Sequence, residues 1–521
     1  MSATPAPHRR PTRSGGTSER RTRPFLRARW LLVPLAAIAV LAAACGGDSG
    51  SGSDSGSGSS GGGGGKVNAA DCPVKDVENA TAPIDVTVWH AYVGLQKSTL
   101  EQLASSFNAS QNKVKVSVEA QGTYEELLKK YEDALADPKT LPDMILTEDT
   151  TTQFMIDSGA VVPAQACIEA DSTAAATYDD VLPSVKAAYT VDDVLWPGAF
   201  SVSSPIYYVN NAILRQANVD TSTTPKTLDE LRALAEKIKA ANVPGVQEPL
   251  VMKVDAWYLE HWLTGVKQPI VNEDNGRSGL ATKSEFDNKV TRQVMDWFKK
   301  MVDDKLLKPI PSASTGIDEY LAINNKTSAM LIQTSAAITT VAALLDGSVK
   351  ASDIGSVAGA PANVNSGLDI AVGPVPGVKE AGKGQIGGSA WYLVKTGNQG
   401  AVGGAWQFMK YFLQTPNQVK WTETASYLPV LTSASSDAGL QQFFTTTTAG
   451  KWLNVAYQGL SNLDPNFPGP VIGPYKEFRA DVRDALDGVA LAGTPTSTAI
   501  TTANGKFQTA LDAYAKDVGG G

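Results

Sequence analysis

A phosphate-gripping loop is the first chemistry the residues suggest. The run GVKEAGKG sets Gly377, Gly382 and Lys383 at the spacing of a nucleotide-phosphate loop. The next residue is Gly384, where a bound magnesium would need the hydroxyl of a Ser or Thr. The overlapping GKGQIGG sets Gly382, Gly384 and Gly387 at dinucleotide-fingerprint spacing. It runs into SAWYLV, which reads as a strand, whereas the fingerprint must open a helix. The three histidines, His8, His90 and His261, are too far apart for metal-ligand spacing. No GxSxG elbow lies between a readable strand and helix to activate a serine. These residues point to no enzyme, no cofactor and no metal. Both glycine stretches read as loop.

The elements that position the rest begin with the N-terminus. Residues 1–29 carry eight Arg and one Glu, and an apolar run, WLLVPLAAIAVLAAA, spans Trp30 to Ala44. Such a run falls short of the roughly 20 residues a membrane span needs and reads as a secretory signal, here 1–44. Its small residues stop directly before Cys45, which resembles the lipobox of bacterial lipoproteins. Leu41 stands four residues before the cysteine and Ala42 three before, where the box has Leu. The alternative is an ordinary cleavage site, and RRTRPFL leaves the export route open. Residues 45–66, almost all Gly, Ser and Asp, read as a flexible tether, about 25 Å end to end for twenty residues. The expected location is an exported membrane lipoprotein facing outward.

Without residues 1–44 the chain holds 37 basic and 52 acidic residues, a net charge of −15. That excludes nucleic acid, which is held by neutralising its phosphates. About 455 residues after the tether exceed one ordinary core, so two lobes are expected. Cys72 and Cys167 remain in an oxidising compartment and are predicted to form a disulfide, the alternative being two buried thiols.

Within the lobes, Ile84, Val86 and Val88 alternate as in a strand. Leu100, Leu103 and Phe107 share a helix face, and Val114, Val116 and Val118 form the next strand. Leu127, Leu128, Tyr131 and Leu135 line another helix, followed by the short apolar run PDMILTED. This alternation implies parallel strands with helices on the sheet faces, an α/β class. A capping box from Thr227 to Glu230 opens a helix carrying Leu228, Leu231, Leu234 and Ile238 inward. TRQVMDWFKKMVDD and AWQFMKYFLQ read as further amphipathic helices.

From about residue 84 to 515 the ordered stretches together resemble the extracellular solute-binding proteins of ABC importers. VWHAY, GTYEELL with PDMILTED, AFSVSSPIYYVNNAIL, AINNKTSAMLIQTSAA, IGGSAWYLV and AWQFMKYFLQTPNQVKWTETASYLPV carry the resemblance. It implies a two-lobed, type II periplasmic-binding-protein-like fold, each lobe a mixed sheet flanked by helices. The ligand would lie in the cleft between the lobes. The expected lobes are 67–198 with 388–428, and 199–387 with 429–521.

The nearest likeness is to the glycerol-3-phosphate-binding branch. It implies ligand contacts at Tyr124, Glu148, Ser203 (with Ser204 beside it), Trp257, Ser335 or its neighbour Thr334, Gly387–Gly388, Tyr427 and Arg479. The branch's GYLP is SYLP here, with Ser426, and Val254 falls where a second walling aromatic is expected. That leaves more room in the site. In those roles Glu148 accepts from ligand hydroxyls, Trp257 packs on C–H faces, and Arg479 with the Gly387–Gly388 amides holds phosphate oxygens. Each also has a structural alternative. Tyr124 could be a surface helix residue, Glu148 a helix cap, Arg479 a helix ion pair and Trp257 core.

The function so implied is a lipid-anchored solute-binding subunit that delivers glycerol-3-phosphate or a glycerophosphodiester to an ABC permease, working as a monomer. A mono- or oligosaccharide is the alternative ligand, and a hydrolase or a non-transporting receptor the alternative class.

Overall fold

The computed structural model describes residues 67–222, 224–314, 318–339, 341–342 and 368–519. The signal, the tether and Cys45 lie outside the described residues. Thirteen strands can be named: β1 Ile84–His90, β2 Val114–Ala120, β3 Met144–Glu148, β4 Val161–Val162, β5 Thr190–Val191, β6 Val194–Leu195, β7 Ala199–Ser203, β8 Pro205–Asn210, β9 Leu250–Lys253, β10 Leu307–Ile310, β11 Met330–Thr334, β12 Ile370–Pro374 and β13 Gly387–Val394.

Two mixed sheets form two lobes. The first runs β2-β1-β3-β13-β4, with β7 also paired to β13. Its β1, β2 and β3 are parallel, in register Val86↔Val116 and Val88↔Met144, and β13 joins antiparallel with Ser389 opposite Glu148. The second runs β10-β9-β11-β8-β12. The expected alternation in β1 holds: Val86 and Val88 are buried between helices, as a sheet covered on both faces requires.

The helix Tyr124–Ala134 starts where expected. The Thr123 side chain accepts from the Glu126 N–H, and Glu126 accepts from the Thr123 N–H at 2.8 Å, a complete capping box. Leu127, Leu128 and Tyr131 face the core, and Leu135 sits half-buried just past the helix end. The box predicted at Thr227 is only half formed. Thr227 caps the Glu230 N–H at 3.1 Å, but the Glu230 carboxylate takes the Lys226 N–H instead, at 2.7 Å.

One boundary differs from expectation. Ala199–Ser203 was placed in the second lobe, yet it is β7 of the first sheet, with Phe200 opposite Ala390. All five of its residues are buried, so pairing with β13 places their backbone groups in a ladder. The chain therefore changes lobes at Ser204, between β7 and β8, and Gly387 already belongs to the first sheet on the return. The helix Thr448–Ser461 also serves both lobes. Trp452 packs edge-on against Tyr208 of the second sheet, while the Ser184 hydroxyl of the first lobe donates to the Leu460 carbonyl.

Cys72 and Cys167 form a disulfide, 95 residues apart in sequence. In the loop-entropy account a closure of that length contributes about 4–5 kcal/mol. It ties the start of the described chain to the helix Ala164–Ala170.

Candidate ligand-binding site

The glycine pair opening β13 shows how the backbone shapes the cleft. Gly388 has φ +117°, and a Cβ there would lie 1.9 Å from the Ser201 carbonyl oxygen. A Cβ on Gly387 would lie 2.5 Å from the Trp257 ring. Glycine is required at both because neither strand nor indole can retreat. Trp257 is fixed in turn. The Asp255 carboxylate caps its N–H at 2.9 Å, and its indole donates to the Ile386 carbonyl at 3.2 Å.

These residues line a cleft of about 350 Å³ with Tyr124, Glu148, Ser203, Thr334, Tyr427 and Arg479. Seven of the eight expected site residues thus converge, drawn from segments more than 350 positions apart. Ser335 does not join them. It is fully buried; its hydroxyl accepts from the Ser204 N–H at 3.1 Å, and its own N–H donates to the Ser204 carbonyl at 2.8 Å. It staples the lobe crossover, and Thr334 takes the place on the cleft wall. Val254 is also corrected. It is buried in the second lobe's core and does not line the cleft, so it adds no room; the second aromatic on that wall is Tyr258.

Tyr427 is stacked on Trp421, with centroids 5.5 Å apart and planes 6° from parallel. Its neighbour Ser426 ends the helix Thr415–Ala425 in the left-handed region, φ +62°, where the resembled branch has glycine. The Ser426 hydroxyl compensates by accepting the Thr339 N–H at 2.8 Å. Burial pushes the Tyr124 and Tyr427 phenols well up, so both stay protonated and able to donate.

Arg479 anchors the floor. It lies on the first turns of the helix Tyr475–Leu491 and is 6 % exposed. Its Nε and Nη2 donate to Glu260 at 2.9 and 2.8 Å as a paired fork, and its Nη1 donates to Glu148 at 2.7 Å. Glu260 also receives Gln385 at 3.0 Å and Tyr475 at 3.2 Å. Burial pulls the guanidinium down, but Glu260 and Glu148 outweigh it, and Arg479 titrates well above its ordinary value. Glu148 shows no capping hydrogen bond and turns to Arg479 instead. Burial raises its carboxyl although Arg479 opposes. Next to it, burial pushes Asp149 up to about 8; Arg479 opposes, and Glu148 and Glu260 add to the rise.

Sequence reading missed Glu260, Asp149, Lys253, Asp255, Glu319 and Gln333. Glu260 had a readable signal: it is the only charged residue of the helix Ala256–Gly265, otherwise almost entirely apolar. A carboxylate there is buried and must find a cation. The others gave none, since only folding brings them to the cleft.

The lining carries four carboxyl side chains, Glu148, Asp149, Asp255 and Glu319, against two cations, Lys253 and Arg479, and Asp149 keeps its proton at neutral pH. Hydroxyl donors, carboxylate acceptors and aromatic walls in a cleft between two sheets suit capture of a small polar solute. A family model described as bacterial extracellular solute-binding protein matches residues 102–445. The chain belongs to that family. It serves as the solute-binding protein of an ABC importer. Among curated relatives, the sn-glycerol-3-phosphate-binding periplasmic protein UgpB of Brucella abortus (strain 2308) is 24% identical over 381 residues, covering 70% of this chain and 79% of its own. The protein of that name from Yersinia pestis bv. Antiqua (strain Antiqua) is 23% identical over 418 residues, covering 79% and 88%.

Among solved structures, UgpB from Mycobacterium tuberculosis in complex with glycerophosphocholine has a TM-score of 0.63 at 17% identity, covering 83% of this chain and 99% of that one. The cyclic alpha-maltosyl-1,6-maltose binding protein from Arthrobacter globiformis has the same TM-score and identity, covering 83% and 100%. Both likenesses carry the two-lobed fold. The family is extracellular, and no helix of the described residues is long and apolar enough to cross a membrane.

Proposed function

We propose that this solute-binding protein captures a glycerophosphodiester outside the cell and hands it to an ABC permease. The observation that carries the reading is the charge pattern of the cleft. One permanently charged arginine lies beside Tyr124, Tyr427 and the glycine pair, within a surplus of carboxylates. A phosphomonoester brings two negative charges to that surplus. A diester brings one, and an ester arm bearing a cation cancels it. The curated UgpB relatives support the phosphoglycerol class. The proposed ligand contacts are Tyr124, Glu148, Ser203, Trp257, Thr334, Gly388, Tyr427 and Arg479.

Titration calorimetry of the wild type with glycerophosphocholine, glycerol-3-phosphate and maltose tests this. The diester should bind at least about tenfold tighter than the monoester, the equivalent of about 1.4 kcal/mol. Heat from maltose alone overturns the reading.

A carbohydrate is the second reading, and one observation favours it: Glu260 and Glu148 already meet the charge of Arg479. A neutral polyol asks for no further cation. The rest of the proposal concerns assembly. The lobes divide as 67–203 with 387–428, and 205–386 with 429–519. Cys45 carries the lipid, 45–66 is the tether, and the protein works as a monomer. Replacing Cys45→Ser should release it from the membrane into the medium; unchanged membrane association rejects the anchor.

A further inference from the structure

The cleft has a neighbour. A second cavity of about 320 Å³ lies on the far side of the Glu148–Arg479 ion pair, and Tyr124, Glu148 and Arg479 line both spaces. Its walls come from both lobes. Leu128 and Phe154 belong to the first, Tyr475 and Tyr514 to the second. The Tyr514 hydroxyl donates to Asp157 at 2.6 Å, tying the helix Thr496–Gly519 to the first lobe. Besides the shared residues, the lining holds Glu125, Glu132, Glu477 and Asp517 against Lys476 and Arg483. It is apolar-walled and acidic in balance.

Arg479 therefore stands at a junction with a chamber on each side. A phosphodiester has the matching shape, because its phosphorus is the point from which two arms diverge. A monoester has one arm and leaves one chamber empty. Resting on the functional reading above, we infer that the outer chamber is the subsite for the alcohol arm of a glycerophosphodiester, and that it selects an arm carrying a positive charge. The glycerol arm occupies the inner cleft, the phosphate meets Arg479, and the cationic arm passes between aromatic walls toward the acidic rim.

Two alanines of the last helix, Ala510 and Ala513, line only the outer chamber. Neither is fully buried, so a tryptophan there fills the chamber without disturbing a core. Ala510→Trp and Ala513→Trp should weaken glycerophosphocholine by about tenfold or more while glycerol-3-phosphate binding and melting temperature stay unchanged. The double variant Glu125→Gln, Glu132→Gln should weaken glycerophosphocholine by roughly 3- to 10-fold and leave an uncharged-arm diester, glycerophosphoglycerol, unaffected. Undiminished glycerophosphocholine binding in both tryptophan variants, or equal losses for diester and monoester, overturns the outer subsite but leaves the phosphoglycerol reading standing. A wild type that binds sugars and no phosphoglycerol overturns both.

Discussion

Two arginines reach from the second lobe to the first, and they end on opposite kinds of partner. Arg479 meets carboxylates, Glu260 within its own lobe and Glu148 across the cleft. Arg277 meets only carbonyls. It donates across to Ala187 at 3.0 Å, Ala188 at 3.2 Å and Thr190 at 3.3 Å, and within its own lobe to Gly469 at 2.8 Å. Its approach is strained. Glu273, Asp274 and Asn275 all have positive φ, 56°, 49° and 61°, and Gly276 follows at 80°. Left-handed non-glycine residues persist only where their surroundings hold them. Here Asn275 is held, its side chain accepting from Ile270 at 2.8 Å and its carbonyl taking the Val471 N–H at 2.9 Å. Burial lowers the Arg277 guanidinium to about 10, still charged at neutral pH.

The difference separates a tie from an exchange. Carbonyls at the end of a helix are unsatisfied acceptors with no alternative, so Arg277 completes backbone hydrogen bonding and belongs to the scaffold. Glu148 is half-exposed at the cleft and can trade Arg479 for a ligand hydroxyl. Glu260, 1 % exposed, cannot. So one arginine carries both a fixed partner and an exchangeable one.

The strongest test of that split is Glu260→Ala. It strands the Arg479 charge in a buried site and should destabilise by about 3–5 kcal/mol, read by chemical denaturation. By the same logic Arg479→Ala leaves Glu260 buried, so it is a poor probe of ligand binding. A Glu260→Ala protein of near wild-type stability would mean that Glu148 alone can neutralise Arg479. Next in size is Arg277→Ala, which leaves four carbonyls without their donor and should cost about 2–3 kcal/mol. Arg277→Lys should restore only part, since an ammonium cannot span the same fork. If ligand affinity changes more than stability in these variants, the scaffold role of Arg277 is wrong.

A pH series sharpens the contrast at smaller amplitude. Asp149 faces Glu148, Glu260 and Arg479 and holds its proton to about pH 8 in the folded state, against 3.8 ordinarily. The folded protein therefore binds this proton more tightly, and stability contributed by the group falls as pH rises from about 4 to 8. Melting temperature should decline between pH 5 and 8 in the wild type and decline less in Asp149→Asn. The Arg277 tie, made with carbonyls, should show no such dependence in that range. An anionic ligand should also bind more weakly above pH 8, as Asp149 gains its charge. The smallest stability effect belongs to Glu148→Gln, within about 1 kcal/mol because the pair is partly solvated. Its ligand affinity should nevertheless fall by about tenfold, the loss of a charge-assisted hydrogen bond. Equal affinity in Glu148→Gln would remove Glu148 from the site.

Much of this was legible along the chain. The strand–helix alternation through β3 follows from period-two and helical spacing of apolar residues, which only a covered sheet can bury. Tyr124 and Gly387–Gly388 were readable only through the resemblance to the glycerol-3-phosphate-binding branch; by themselves the glycines read as loop. What failed was neighbour assignment. Ser335 and Thr334 are adjacent, but β11 ends at Thr334 on the cleft wall, and the 3-10 turn beginning at Ser335 carries that hydroxyl into the crossover. Likewise β7 and Val254 were placed by resemblance, whereas pairing partners decide which sheet or core receives them.

The sequence by itself determined the local elements, the helix caps and the pairing of its two cysteines. These depend on interactions within a few positions, or on there being one partner left to choose. Only the tertiary structure decided that Glu260 neutralises Arg479 from below, that four carboxyl groups share the cleft with two cations, and that Tyr124, Glu148 and Arg479 border two cavities at once. Charge balance and cavity shape are sums over residues hundreds of positions apart, and no local periodicity encodes a sum.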